Sequence, residues 1–283
     1  MDEMAKETAE LGSYLMKYVV ALGWIDRTPG DRAQKNAGGG TPMFVTTFII
    51  EAKGMWFLIT AGHILQAIET ARENGQQLAN FQLHDGLSSD SAHLQPIPFP
   101  IDGQTKMAYW HEEIGSGAGA DYGIIPLSSL ISDALKANGK MAIRQPWMQE
   151  LPSTFDSYCM LGIPSEFQEE GTFATAVEVG ISGAMISVRK IDTPPEHMRS
   201  AIPRFYGKIA TDLRDKEGLP LKDIDGMSGG PIFGFVKSEK GMELWVVAIQ
   251  SSWDAKTGTI AGCYFKQFAE EIASKITANN RAT

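Results

Sequence analysis

The segment Asp225-Gly226-Met227-Ser228-Gly229-Gly230-Pro231 sets a serine among glycines within two residues on both sides. Glycine gives the backbone freedom that other residues lack. Nucleophilic catalysis uses that freedom twice: the hydroxyl must project clear of its own chain, and backbone N–H groups must converge on a developing oxyanion. Gly226 and Ser228 are the natural N–H donors here. A serine nucleophile also needs a base, and an imidazole is the usual one. His63 ends the hydrophobic run Phe57-Leu58-Ile59-Thr60-Ala61-Gly62-His63, where small residues let the ring approach another segment. His84, His93, His111 and His197 lie in polar, irregular surroundings and read as surface residues. Asp121 follows the glycine-rich Gly115–Gly119 and precedes a buried-looking strand, a place from which a carboxylate can fix an imidazole tautomer. Asp85, Asp90 and Asp102 have no such context. Each of the three also has a plain structural reading: a glycine turn, a core histidine, a strand-start aspartate.

Chain order narrows the choices. The same serine satisfies Gly-x-Ser-x-Gly, the nucleophile-elbow pattern of α/β-hydrolases, but that fold needs its histidine after the serine. The last histidine is His197, so no such triad can be assembled. A subtilisin-like order needs a patterned aspartate before the histidine, and Asp26 and Asp31 lie in an unpatterned stretch. The order His, Asp, Ser remains.

The elements that must position these residues read mainly as short strands. Residues 3 to about 17 read as a helix, with Met4, Leu11, Leu15 and Met16 on one face. Tyr18–Ile25 is a predicted strand, and Asp26–Gly40 a loop. Phe44–Ile50 and Met55–Thr60, rich in aromatic and β-branched residues, form a predicted hairpin around Glu51–Gly54. Ile64–Glu73 is helical in tendency. Asn80–His84, Met107–Trp110, Tyr122–Leu127, Tyr158–Ile163, Ala176–Ile186, Pro231–Val236 and Leu244–Gln250 are further predicted strands. Ser128–Gln149 is a polar, helix-prone connection, and Gln267–Ile276 is predicted to close the chain as an amphipathic helix. Many short strands with a helix at either end predict an all-β barrel or sandwich.

The 283 residues, 43% hydrophobic and 21% charged, allow one large domain or two modest ones with a real core. The net charge of −9 and the lack of any Lys/Arg block argue against a nucleic-acid partner. Cys159 and Cys263 are too few for a disulfide framework, sit in apolar stretches and have no partners at metal-ligand spacing, so they read as buried free thiols. The acidic Met1-Asp2-Glu3 start is unlike a secretory signal, and no run approaches the ~18 apolar residues of a membrane span. The expected setting is cytoplasmic, with no membrane partner.

Thr60-Ala61-Gly62-His63, Asp121-Tyr122-Gly123-Ile124-Ile125 and Gly226-Met227-Ser228-Gly229-Gly230-Pro231 resemble the three signature segments of trypsin-like serine peptidases. The resemblance spans roughly residues 40–265, is specific in those segments and loose between them, and is nearest to intracellular bacterial members without a PDZ domain. It implies two packed six-stranded antiparallel β-barrels: an N-terminal helical extension over 1–17, a first barrel over 18–135 carrying His63 and Asp121, and a second over 136–283 carrying Ser228 and the C-terminal helix. It implies a serine endopeptidase with an oxyanion hole at Gly226 and Ser228, a protein or peptide substrate, and no cofactor or metal.

Two departures stand out. Secreted members place an aspartate just before the serine, where a freed N-terminus pairs with it; here that residue is Met227, which leaves open a regulatory partner for the oxyanion loop. Lys222 stands where members often floor the substrate pocket, and either favours acidic substrates or is solvated and neutralised by its neighbours. Ser251, Ser252 and Trp253 lie on the segment resembling the substrate-pairing strand. The alternative to an active peptidase is a silent member of the fold that binds peptides or scaffolds.

Overall fold

The computed structural model describes residues 3–28, 40–87, 96–101, 107–111, 119–144, 151–165, 183–209, 223–239, 241–266 and 268–269. Among the described residues the protein is mostly β, with three assigned α-helices, one closed six-stranded barrel and a second, larger sheet.

Helix α1 (Glu3–Leu15) runs through one 3-10 turn (Met16–Tyr18) into strand β1 (Val19–Asp26). β1 pairs antiparallel with β2 (Thr41–Ala52), which turns into β3 (Met55–Thr60). The hairpin turn is tighter than the four residues expected. Only Lys53 and Gly54 lie in it, both at positive φ (51° and 77°), the two-residue turn whose twist matches antiparallel strands. Helix α2 (Gly62–Glu73) follows, then β4 (Leu78–His84), β5 (Ile97–Pro98), β6 (Ala108–His111) and β7 (Asp121–Pro126). α3 (Ser129–Ala137), opened by a Ser128 side-chain cap, leads to β8 (Ile143–Arg144). This sheet runs β5-β4-β1-β2-β3-β7-β6 with β8 beside β2. Among the described residues it does not close, whereas the sequence predicts a six-stranded barrel here.

The second half does close. β9 (Ser157–Gly162), β10 (Ala184–Lys190), β11 (Arg204–Ile209), β12 (Pro231–Ser238), β13 (Gly241–Asp254) and β14 (Thr259–Tyr264) form a barrel in the order β10-β11-β14-β13-β12-β9. β5, β8, β11 and β14 have no counterpart among the predicted strands, β13 is longer than expected, and β10 ends four residues beyond Ile186. The predicted 115–119 approach lies outside the described residues except Gly119, as does most of the predicted C-terminal helix.

Among the described residues, three apolar cores follow. One fills the first sheet beneath α2 and includes Leu22, Leu58, Leu65, Ile68 and Leu83. One fills the barrel, around Met160, Phe205, Met227 and Ile232. The largest joins the two halves, with Phe48 and Ile59 from the first meeting Leu161, Phe233 and Phe265 from the second. No helix is long and apolar enough to cross a membrane among the described residues.

Candidate active site

β3 ends at Thr60, and Ala61, in an extended conformation, opens α2 so that His63 falls in the first helical turn. Gly62 makes this placement feasible. A Cβ there would lie 2.1 Å from the Trp110 carbonyl oxygen and 2.9 Å from that of Tyr122, so only glycine lets the helix start against β6 and β7. Asp121 is the first residue of β7. Its Oδ1 accepts the His63 backbone N–H at 2.8 Å, and its Oδ2 lies 2.8 Å from His63 Nδ1. With the proton on Nδ1, that second contact is a charge-assisted hydrogen bond that leaves Nε2 free to accept a proton. The Asp121 side chain is 7% exposed and that of His63 35%, so the carboxylate is enclosed while the imidazole keeps an open side.

The second half also holds the backbone of Asp121. The Asp121 backbone N–H donates to Cys263 Sγ at 3.1 Å, and Cys263 sits on β14. Burial pushes the Cys263 thiol up from its ordinary pKa, and drives that of Cys159 to about 12. Both cysteines are free, buried and inert, as their apolar contexts predict.

Ser228 stands in a pair of overlapping turns. Met227 N–H donates to Ile224 C=O at 3.1 Å and Gly230 N–H to Met227 C=O at 3.0 Å, with Gly226 and Gly229 at φ +88° and +90°. Gly229 N–H then donates to Gln250 C=O, and Gln250 N–H to Gly230 C=O, fixing the turn to β13. The first half grips the turn too. Thr46 donates its hydroxyl (2.7 Å) and its N–H (3.3 Å) to Gly226 C=O, while Thr46 Oγ1 accepts from Ile163 N–H. A Cβ on Gly229 would lie 2.2 Å from Thr60 Oγ1 and 2.9 Å from Ala61 N. The residue after Ser228 thus packs on the strand end that leads into His63. Among the described residues, neither the Gly226 nor the Ser228 N–H donates to an acceptor. Met227 is fully buried in the barrel core against Gly162, so the position before the serine carries an apolar plug rather than a charge.

The remaining predicted residues fall into distinct settings. Lys222 lies outside the described residues. Ser251 is buried, and its hydroxyl accepts from the Arg204 guanidinium. Ser252 Oγ is buried without a partner among the described residues. Trp253 Nε1 donates to Asp223 Oδ1 at 3.2 Å. β12 begins at Pro231 opposite Ile249, so beyond that point β13 keeps only β14 as a strand partner, and Ser252–Asp254 present their other edge unpaired among the described residues. Asp225 is raised above the ordinary carboxylate range by burial and by neighbouring Asp223.

Two of the histidines that read as surface residues are not. His84 packs edge-on to Phe44 above Gly23, and burial lowers its pKa to about 4. His111 stands opposite Asp121 across the β6–β7 ladder, with Nδ1 3.4 Å from Oδ1. No motif marked it: ladder register, not sequence spacing, brings it there. His197 is exposed as expected, beside Asp254, and His93 lies outside the described residues.

A groove of about 280 Å³ is lined by His63, Gln66, Ala67, Thr70 and Ala71 of α2, and by Asn74 and Gln76 just beyond it.

No protein-family model matches the chain, and no curated protein matches it. Among solved structures it is similar to the protease Anisep from Arthrobacter nicotinovorans, at 14% identity over 88% of this chain and 90% of that one, with a TM-score of 0.44. It is also similar to the thermostable serine protease AL20 from an extremophilic microorganism (16% identity, 90% and 94% covered, TM-score 0.42). A third is HBP (11% identity, 93% and 92% covered, TM-score 0.48).

Proposed function

We propose that this chain is a serine endopeptidase that uses Ser228 as nucleophile, His63 as general base and acid, and Asp121 as the group that orients the base. The observation that carries the reading is the doubly hydrogen-bonded His63–Asp121 pair, 2.8 Å at both contacts, beside a glycine turn whose Gly229 packs on Thr60 and Ala61. Asp121 fixes the tautomer with Nδ1 protonated, so Nε2 takes the Ser228 proton as the hydroxyl attacks a carbonyl, then returns it to the leaving amine. The unengaged N–H groups of Gly226 and Ser228 are the donors for the oxyanion, each worth about 3 kcal/mol in the transition state. A peptide substrate adds as a strand along the open edge of Ser252–Asp254. No step calls on a cofactor.

The domain assignment proposed with this reading is an N-terminal extension over 1–17, a first unit over 18–135 and a second over 136–283. The setting proposed is the cytoplasm.

The alternative, a silent peptide-binding module, differs in one measurable respect. Incubation with a proteome-derived peptide library should yield new termini with wild type and none with Ser228→Ala or His63→Ala. A wild type that binds peptides but generates no termini contradicts the enzyme reading. Turnover of esters without any new peptide termini would instead make it an acyl hydrolase on the same residues.

A further inference from the structure

Asp121 faces two imidazoles rather than one. His63 Nδ1 lies 2.8 Å from Oδ2 and His111 Nδ1 3.4 Å from Oδ1. The His111 nitrogen is buried, and among the described residues it has no partner of hydrogen-bonding geometry, so the 3.4 Å approach is electrostatic only. The two rings stand 5.8 Å apart between centroids at 66°. One donor atom from each of His63, His111 and Asp121 lies within 4.8 Å of the others.

We propose that His63, Asp121 and His111 bind a borderline divalent cation of the zinc type, and that this binding silences the nucleophile; the silencing rests on the peptidase reading, the binding does not. Two imidazole nitrogens and one carboxylate oxygen make a three-ligand zinc set with a fourth position left for solvent. Zn–N and Zn–O bonds of about 2.1 Å place tetrahedral neighbours roughly 3.4 Å apart. His63 meets Oδ2 at 2.8 Å and His111 meets Oδ1 at 3.4 Å, so one ring already stands within about 0.6 Å of that spacing from whichever oxygen binds. The two remaining separations, between the rings and from the second ring to that oxygen, each need to close by no more than about 1.4 Å from the 4.8 Å limit. Both rings keep a solvent-facing part, with 35% and 26% of the His63 and His111 side chains exposed.

The chemical consequence follows from the tautomer. A cation on His63 Nδ1 occupies the place of the proton shared with Asp121. The displaced proton moves to Nε2, no electron is transferred, and the imidazole stays neutral. A nitrogen that already carries hydrogen cannot accept the Ser228 proton, so the base is disabled while the fold is kept.

Labelling of the full chain by a fluorophosphonate, with and without zinc, tests this. At ~0.1 mM zinc the wild-type labelling rate should fall at least about tenfold, for a site with a Kd of ~10 µM, and recover in EDTA. Within His111→Ala the rates with and without zinc should agree within about twofold. An unchanged wild-type rate, or an equal fall in His111→Ala, overturns the proposal. Zinc competition against a chromophoric chelator gives a second readout on Ser228→Ala. About one zinc per chain should bind, and adding His111→Asn or Asp121→Asn should weaken it at least about tenfold. Absence of competition overturns the site. A wild type that never labels contradicts the peptidase reading alone, because the chelator experiment still decides the metal site.

Discussion

Asp121 is the residue on which the site converges. It accepts the His63 N–H, meets the His63 ring and faces His111, while its own N–H reaches Cys263. Asp121→Asn keeps the shape but presents an N–H where the imidazole needs an acceptor. Steady-state assays on a cleaved peptide should show kcat lower by about 10³- to 10⁴-fold with KM little changed. A loss of less than about tenfold would remove Asp121 from the mechanism. Gly229→Ala tests the turn at the same scale. The new methyl meets Thr60 Oγ1 and Thr46 C=O inside contact distance, at a φ that side chains rarely adopt. Chemical denaturation should show a loss of about 2 kcal/mol or more, and labelling of Ser228 should slow. How far this site can be read from the amino-acid order alone also shows here. His63, Asp121 and Ser228 stand in small-residue contexts that sequence preserves. His111 and Arg204 reach their places through strand register, which leaves no local pattern.

At the scale of elements, two of the strands that escaped sequence reading, β11 and β14, share a cause. β11 carries Gly207, whose Cβ would lie 2.3 Å from Val188 Cγ1, and β14 carries Gly262, whose Cβ would lie 2.7 Å from the Ile249 carbonyl. Close approach of neighbouring chains demands glycine there, and glycine erases the β-propensity that marks a strand. β2 and β3 have no such demand and announce themselves through Phe, Val, Thr and Ile. β1 and β4 carry a pH dependence of their own through His84, packed over Gly23 of β1. Burial lowers its pKa from 6.5 to about 4. The folded state therefore binds fewer protons than the unfolded one between those values. His84 costs the fold nothing above about pH 6.5 and progressively more as pH falls towards 4, up to about 3 kcal/mol. Urea titrations at pH 7 and pH 4.5 should show a smaller acid loss in His84→Gln than in wild type. Equal losses would show that His84 titrates normally.

At the scale of the whole molecule, the site exists because two sheets are held in one relation. The joint core includes Phe48 packed on Phe265, with ring centroids 5.9 Å apart. Thr46 ties Gly226 and Ile163 to β2, and Met16, in the 3-10 turn after α1, fills the space that a side chain on Gly183, just before β10, would need. Lys140, buried beside that turn, donates to the carbonyls of Met16 and Val19, and burial lowers its pKa to about 8. Phe48→Ala should cost about 3–5 kcal/mol and lower stability and labelling together, because its cavity opens between the halves. Circular dichroism and fluorophosphonate labelling followed along one denaturation series should then fall in step. Loss of labelling with the fold unchanged would mean that the joint core positions the site without stabilising the molecule.

The most direct test of the central claim is the position of a covalent adduct. Wild-type chain treated with a fluorophosphonate in EDTA, digested and analysed by mass spectrometry, should carry one phosphonyl group on the peptide containing Ser228. Ser228→Ala should carry none, and His63→Ala should react at least about 10³-fold more slowly. An unmodified Ser228 in the metal-free wild type, or an adduct at another serine that persists in Ser228→Ala, would contradict the account.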